Sequence, residues 1–184
     1  MKFMFWVAVI ILFITFILPS LRFVFARLLF ALYLLAKKIF CKDFDYKYTK
    51  RMSVFTGRQG SFYDVAIFLK EKVFVVKFCG FFRKNTDVIV NNENQWQIDT
   101  YIFTGPFLPG TKSTKAEGFF FDADAGKAEF SDKDAESVIL LLPKPKCFGI
   151  RNGKETQWLD SGDEINGSTV ATFRYFRKHL KELI

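Results

Sequence analysis

Between Phe3 and Pro19 the chain reads FMFWVAVIILFITFILP, a run with no charged residue. Thr15 is the one polar side chain before Pro19. A helix that is apolar on every side suits lipid better than a protein surface. The run is near the lower limit of roughly 17–25 residues needed to cross the hydrocarbon core of a bilayer. It is long for the apolar region of a secretory signal, and no small-x-small cleavage site follows closely. Residues 1–20 are therefore expected to form a retained transmembrane anchor.

The pattern changes at LRFVFARLLFALYLLAKKIF, residues 21 to 40, behind Pro19-Ser20. Arg22, Arg27, Lys37 and Lys38 share one arc of a helical wheel, and Leu, Phe, Ala, Val, Tyr and Ile fill the rest. Residues 21–44 are expected to form an amphipathic juxtamembrane helix in the interface, or a short second span with snorkelling basic ends. Those four cations are the candidate membrane-surface residues. In either arrangement the basic excess around Lys37-Lys38 keeps the C-terminal part in the cytoplasm, at an inner or plasma membrane.

From about residue 45 apolar positions recur with a period of two between turn residues. Strands are predicted over Met52–Thr56, Phe62–Leu69, Val73–Cys79, Asp87–Val90, Gln95–Phe103, Gly118–Phe121 and Val138–Leu142. Gly57–Gly60, Gly105-Pro106, Pro109-Gly110, Pro143 and Pro145 punctuate them. In SFYDVAIFLKEKVFVVKFCG a tight turn at Lys70-Glu71 sets Val65 opposite Val76, Ile67 opposite Phe74 and Tyr63 opposite Phe78. That face is wholly apolar. On the other face the same register sets Asp64 against Lys77, an opposite-charge pair across the ladder.

Near the C-terminus, Arg151–Lys154 around Asn152-Gly153 reads as a hairpin turn, and Ser161–Asp163 as another turn. Ser168 or Asn166 is expected to cap a helix running to the end of the chain. Val170, Phe173, Phe176, Leu180 and Leu183 form its apolar stripe, and Arg174, Arg177, Lys178 and Lys181 its basic side. The pattern as a whole predicts an α+β chain. Its parts are N-terminal transmembrane and interfacial helices, a mostly antiparallel β domain over 45–184, and a docked terminal helix.

Charge and composition narrow the function. The net charge is +8, but residues 1–44 hold six basic residues against one acid, so most of the excess is juxtamembrane. Anionic lipid headgroups fit that distribution better than a nucleic-acid groove. The alternative of a tethered nucleic-acid-binding domain rests on 25 Phe residues, many in strands with interspersed Lys, which could offer stacking platforms. Cys41, Cys79 and Cys147 form no framework and are expected to be reduced thiols. His179, the single histidine, lies in the basic tail and leaves no basis for a two-imidazole metal site. The sequon Asn166-Gly167-Ser168 would matter only in a eukaryotic lumenal domain.

The one constellation with enzymatic content is Asp64 on one strand and Lys77 on the next. In this it resembles nucleases of the PD-(D/E)xK type, and the resemblance implies a nuclease-like fold with Asp64 and Lys77 as the catalytic candidates. The chain departs from that motif two residues before the Lys, where Val75 stands in place of an acid. A hard cation would then lack ligands to activate water. The acidic stretch Glu117–Glu136 contains Asp122-Ala123-Asp124-Ala125-Gly126, but Lys133 occupies the place of the bidentate Glu of a calcium loop. A solvated loop is expected there, able to lean on the basic juxtamembrane stretch. No cofactor or metal is expected. The reading is a non-catalytic interaction or accessory module held at the bilayer, with an unidentified protein partner.

Overall fold

A computed structural model describes residues 18–49, 63–79, 86–92, 95–102, 111–118, 123–152 and 155–183. The apolar run before Leu18, the predicted strand over Met52–Thr56, its following Gly-rich turn and the Gly/Pro turns at 105–110 lie outside these residues. A long helix, α1 (Leu18–Phe40), opens the described chain with Pro19 in its first turn. Proline is tolerated there because the first amide hydrogens of a helix have no partner in any case. Pro19 and Ser20, expected to separate two helical segments, both lie within α1.

Eleven strands follow among the described residues. They are β1 (Asp45–Tyr48), β2 (Val65–Phe68), β3 (Lys72–Cys79), β4 (Thr86–Asn92), β5 (Gln95–Ile102), β6 (Thr111–Gly118), β7 (Asp134–Leu141), β8 (Cys147–Asn152), β9 (Glu155–Trp158), β10 (Glu164–Ile165) and β11 (Ser168–Thr172). A short helix, α2 (Ala123–Ala128), precedes β7, and α3 (Phe173–Glu182) ends the fold.

The strands form two sheets, with order β1-β2-β3-β7-β11-β10 in the first and β6-β5-β4-β8-β9 in the second. Six of the nine pairings are antiparallel. The three parallel ones, β3–β7, β7–β11 and β4–β8, occupy the centres of the sheets. The mixed α/β architecture with a terminal helix agrees with the sequence pattern. The parallel centre does not follow from it, because β3 and β7 are joined through the whole outer part of the second sheet.

The hairpin register holds over Val65↔Val76, Ala66↔Val75, Ile67↔Phe74 and Phe68↔Val73. Leu69 N–H donates to Lys72 O at 2.8 Å and closes the turn. At the open end the register slips. Asp64 N–H also addresses Val76 O, at 2.9 Å, so two consecutive residues of one strand face a single residue of the other. A bulge of this kind turns the following side chain to the opposite face. Tyr63 therefore joins Ala66, Val73 and Val75, rather than facing Phe78 as the unbroken register requires.

Both faces of the first sheet are covered. On one side α1 and α3 bring Phe30, Leu34, Phe176 and Leu180 onto Val65, Ile67, Phe74, Val76 and Leu140. On the other, Cys79, Ile139, Leu141 and Val170 meet Val88, Val90 and Phe148 of the second sheet. The central strands read as continuous apolar runs (VFVV, VILLL) for this reason. Helix α1 thus belongs to the same core as the sheet, and the segment 21–44 is part of the domain's fold.

The C-terminal residues depart from the expected single helix. Ser168–Thr172 is strand, parallel to β7, and Val170 is buried between the sheets. The helix starts only at Phe173, with Thr172 as its N-cap accepting from Tyr175 N–H at 3.4 Å. The β-branched Thr, Val and Thr of STVAT suit a strand, and a Thr hydroxyl suits the cap. Asn166 (φ 48°) and Gly167 (φ 71°) form the turn between β10 and β11.

Candidate functional site

Asp64 and Lys77 meet across the bulge and not as direct ladder partners, and in a different environment from an open sheet face. Lys77 Nζ lies 3.8 Å from Asp64 Oδ1, and the two side chains are 8% and 12% exposed. Asp64 Oδ2 accepts a 2.7 Å hydrogen bond from Phe78 N–H. Its backbone carbonyl accepts from Thr49 N–H at 3.1 Å and from the Thr49 hydroxyl at 3.4 Å. The bulge at Val65 turns the carboxylate back onto β3, and this geometry commits both of its oxygens. The pair is buried, not half-exposed: α1 and α3 cover one face of the hairpin, and Phe130 packs with Tyr63, Ala66, Val73 and Val75 on the other.

Arg27 completes the cluster from α1. It is 5% exposed, its guanidinium carbon sits 5.1 Å from the centre of the Phe78 ring, and its charge is coupled to that of Asp64. A membrane-surface role for Arg27 is thereby corrected. The arc of the wheel that carries it is the arc that faces the sheet, alongside Ala26, Phe30, Tyr33 and Leu34. Lys38, on the flank of that arc, pairs with Asp45 at 2.6 Å on the surface. Lys37 is half-buried, and its Nζ lies 3.9 Å from Cys41 Sγ. Arg22 lies in the first turns of the helix.

Burial pushes the Lys77 ammonium below the ordinary lysine value; the Asp64 carboxylate opposes the shift and the Arg27 charge adds to it. One carboxylate thus compensates two buried cations from neighbouring elements. The position two residues before Lys77 is Val75, fully buried in a hydrophobic cluster. Among the described residues no group of three or more His, Cys, Asp or Glu side chains converges on a point. The described part of the cluster does not fit a divalent cation, since hard cations take six or more oxygens and the described residues bring one carboxylate, flanked by cations.

Comparison with protein-family models finds no match, nor does comparison with curated proteins or with solved structures. The functional reading rests on geometry alone.

Among the described residues of the acidic stretch, 123–128 are helix and 134–136 strand, while Asp124 stays exposed. Asp124 pairs within α2 with Lys127 at 3.3 Å, and Glu129 accepts from the Tyr63 hydroxyl at 2.6 Å. Its described partners are thus local or on the first sheet. His179 approaches Glu136 at 4.0 Å and stacks on Tyr175, while Glu136 also accepts from the Thr169 hydroxyl and pairs with Lys72. The cysteines are free thiols; burial first, and then Asp87, push the Cys147 thiol upward. Phe74, Phe78, Phe148 and Phe176 point into the cores, which removes them as stacking platforms.

Two exposed surfaces stand out, of which the sequence pattern marked only the basic side of the terminal helix. The outer side of α1 carries Phe25, Leu28, Leu29, Leu32, Leu35 and Ile39, all 46–68% exposed. Beside it the exposed face of α3 carries Arg174, Arg177, Lys178 and Lys181, lining a shallow cavity of about 420 Å³ with Thr172 and Tyr175. Among the described residues no helix is long and apolar enough to cross a membrane.

Proposed function

We propose that the protein is a membrane-tethered, non-catalytic interaction module. Its N-terminal apolar run is the anchor, α1 lies in the bilayer interface, and the two-sheet domain is held at the cytoplasmic face. The observation that carries this reading is the outward stripe of α1. Six large apolar side chains stand exposed on one side of a helix whose other side is core, and in the sequence the stripe follows the uncharged run that ends at Pro19, with Ser20 and Arg22 between. Exposed apolar patches of this extent mark contact surfaces in soluble folds and lipid contact in tethered ones. A tether also raises the effective concentration of a binding face at the bilayer without any catalytic group. Carbonate washing of membranes that contain the intact chain tests the tether. Retention in the pellet, with the domain resistant to protease added from outside the cell, is expected; release into the wash overturns it.

A second reading, a divergent nuclease fold of the PD-(D/E)xK type, is favoured by the approach of Asp64 to Lys77 across adjacent strands. The commitment of Asp64 to Phe78 N–H and the valine at 75 argue that such a site has become a structural charge cluster.

A further inference from the structure

We infer that the outer surface of the helix layer docks flat on an anionic leaflet, with α1 supplying insertion and the basic face of α3 supplying lipid-headgroup recognition. This rests on the tethering reading and adds a second contact, a charge requirement and an orientation for the domain.

The two helices lie side by side on one face of the first sheet. Phe173 at the start of α3 packs edge-on against both Phe30 (5.6 Å) and Tyr33 (5.5 Å) of α1. The Arg177 charge acts on the Tyr33 hydroxyl, which places the basic face of α3 on the flank nearest α1. In α3 the core residues Phe176 and Leu180 leave Arg174, Arg177, Lys178 and Lys181 within one exposed quadrant. Those four cations share the exposed side of the helix with one acid, Glu182, which lies 3.9 Å from Lys178.

An apolar stripe beside a basic ridge is the surface that a bilayer with negative headgroups covers. The stripe enters the acyl boundary, and each cation near the leaflet gains from its surface potential. The apolar run ahead of Leu18 delivers α1 to that depth, so lipid is the occupant the chain itself brings to the face. A protein groove would have to supply acids for α3 and apolar side chains for α1 together.

Acetylation of surface lysines, read by mass spectrometry on the full chain, tests the inference without substitutions. The chain is reconstituted in vesicles of phosphatidylcholine alone and in vesicles with about three-tenths phosphatidylglycerol, a content that mimics an anionic leaflet. Lys178 and Lys181 are expected to react several-fold more slowly in the anionic vesicles. Lys47 is the control, since its partner Ala66 places it on the sheet face away from the helices, and its rate is expected to stay constant. Arg174→Gln/Arg177→Gln keeps both reporter lysines and is expected to shrink the difference. Equal rates in the two lipids, with the chain still resistant to carbonate, overturn docking and leave the tether standing. Protection in detergent that grows with protein concentration assigns the face to a second copy and overturns docking. Failure of the chain to join either vesicle overturns the tether and docking together.

Discussion

Asp64 shows how one side chain can be read correctly in its charge partner and wrongly in register and environment. Across an open ladder its pairing with Lys77 would be worth little, since exposed ion pairs contribute about 0–1 kcal/mol. Buried beneath α1, the same carboxylate compensates Lys77 and Arg27 and satisfies Phe78 N–H. Removing one partner of a buried pair costs about 3–5 kcal/mol, because the other charge stays desolvated. Asp64→Ala is expected to destabilise the domain by about that amount, and Asp64→Asn by less, because the amide oxygen still accepts from Phe78. Chemical denaturation of the full chain in detergent measures both. Burial already holds the Lys77 ammonium below 10.5, so the loss in Asp64→Ala has a defined pH dependence. The unfolded chain keeps that proton up to the ordinary lysine value, whereas the folded variant sheds it earlier. The penalty is full below the folded value and is relieved as pH rises through it toward 10.5. A penalty that is independent of pH would assign the loss to the Phe78 hydrogen bond alone.

At the scale of elements, the junction between β11 and α3 decides where the terminal helix begins. Thr172 has extended backbone (φ −81°, ψ 160°), and its hydroxyl accepts from Tyr175 N–H and from the Ser161 hydroxyl. It therefore ends the strand and caps the helix together. Thr172→Ala is expected to cost about 1 kcal/mol, as for other N-cap losses. Thr172→Ser retains the oxygen and is expected to recover most of it in the same denaturation series. The β8–β9 hairpin carries a comparable local constraint. A Cβ at Gly149 would stand 2.7 Å from the Gln157 carbonyl oxygen, so the two strands pack at a distance that only glycine permits.

For the molecule as a whole, the unusual feature is a helix apolar on two sides. One side of α1 is buried by the sheet, and the other, at Leu29 and Leu32, is 60% and 52% exposed. In the proposed docking, stability and membrane contact are carried by different residues of one helix. Leu29→Gln/Leu32→Gln is expected to leave the denaturation midpoint nearly unchanged, since exposed substitutions outside special sites stay within about 0.5 kcal/mol. The same variant is expected to make α1 accessible to protease on vesicles where the native helix is protected. A large fall in stability in detergent would instead mean that the stripe packs within the protein.

Much of the fold is legible in local pattern, because a strand or helix must repeat its apolar positions at its own period. That is why four of the hairpin pairs and the terminal apolar stripe at Phe176 and Leu180 follow from spacing alone. β1 (DYKY) and β6 (TKSTKAEG) escaped, since the alternation in β1 spans only Tyr46 and Tyr48 and β6 carries no alternating apolar face. Pattern also left open which side of α1 is core. The helix is apolar nearly all round, and only contact with Phe78 and Phe173 turns Arg27 inward. Nor could spacing join β3 to β7 and β7 to β11, whose partners lie tens of residues apart and leave no periodic trace in either segment. The sequence by itself determined several of the strands, the apolar face of the β2–β3 hairpin and that of the terminal helix. Tertiary packing decided burial of the Asp64–Lys77–Arg27 charges and exposure of the α1 stripe, because desolvation depends on what covers a surface and not on the residues within it.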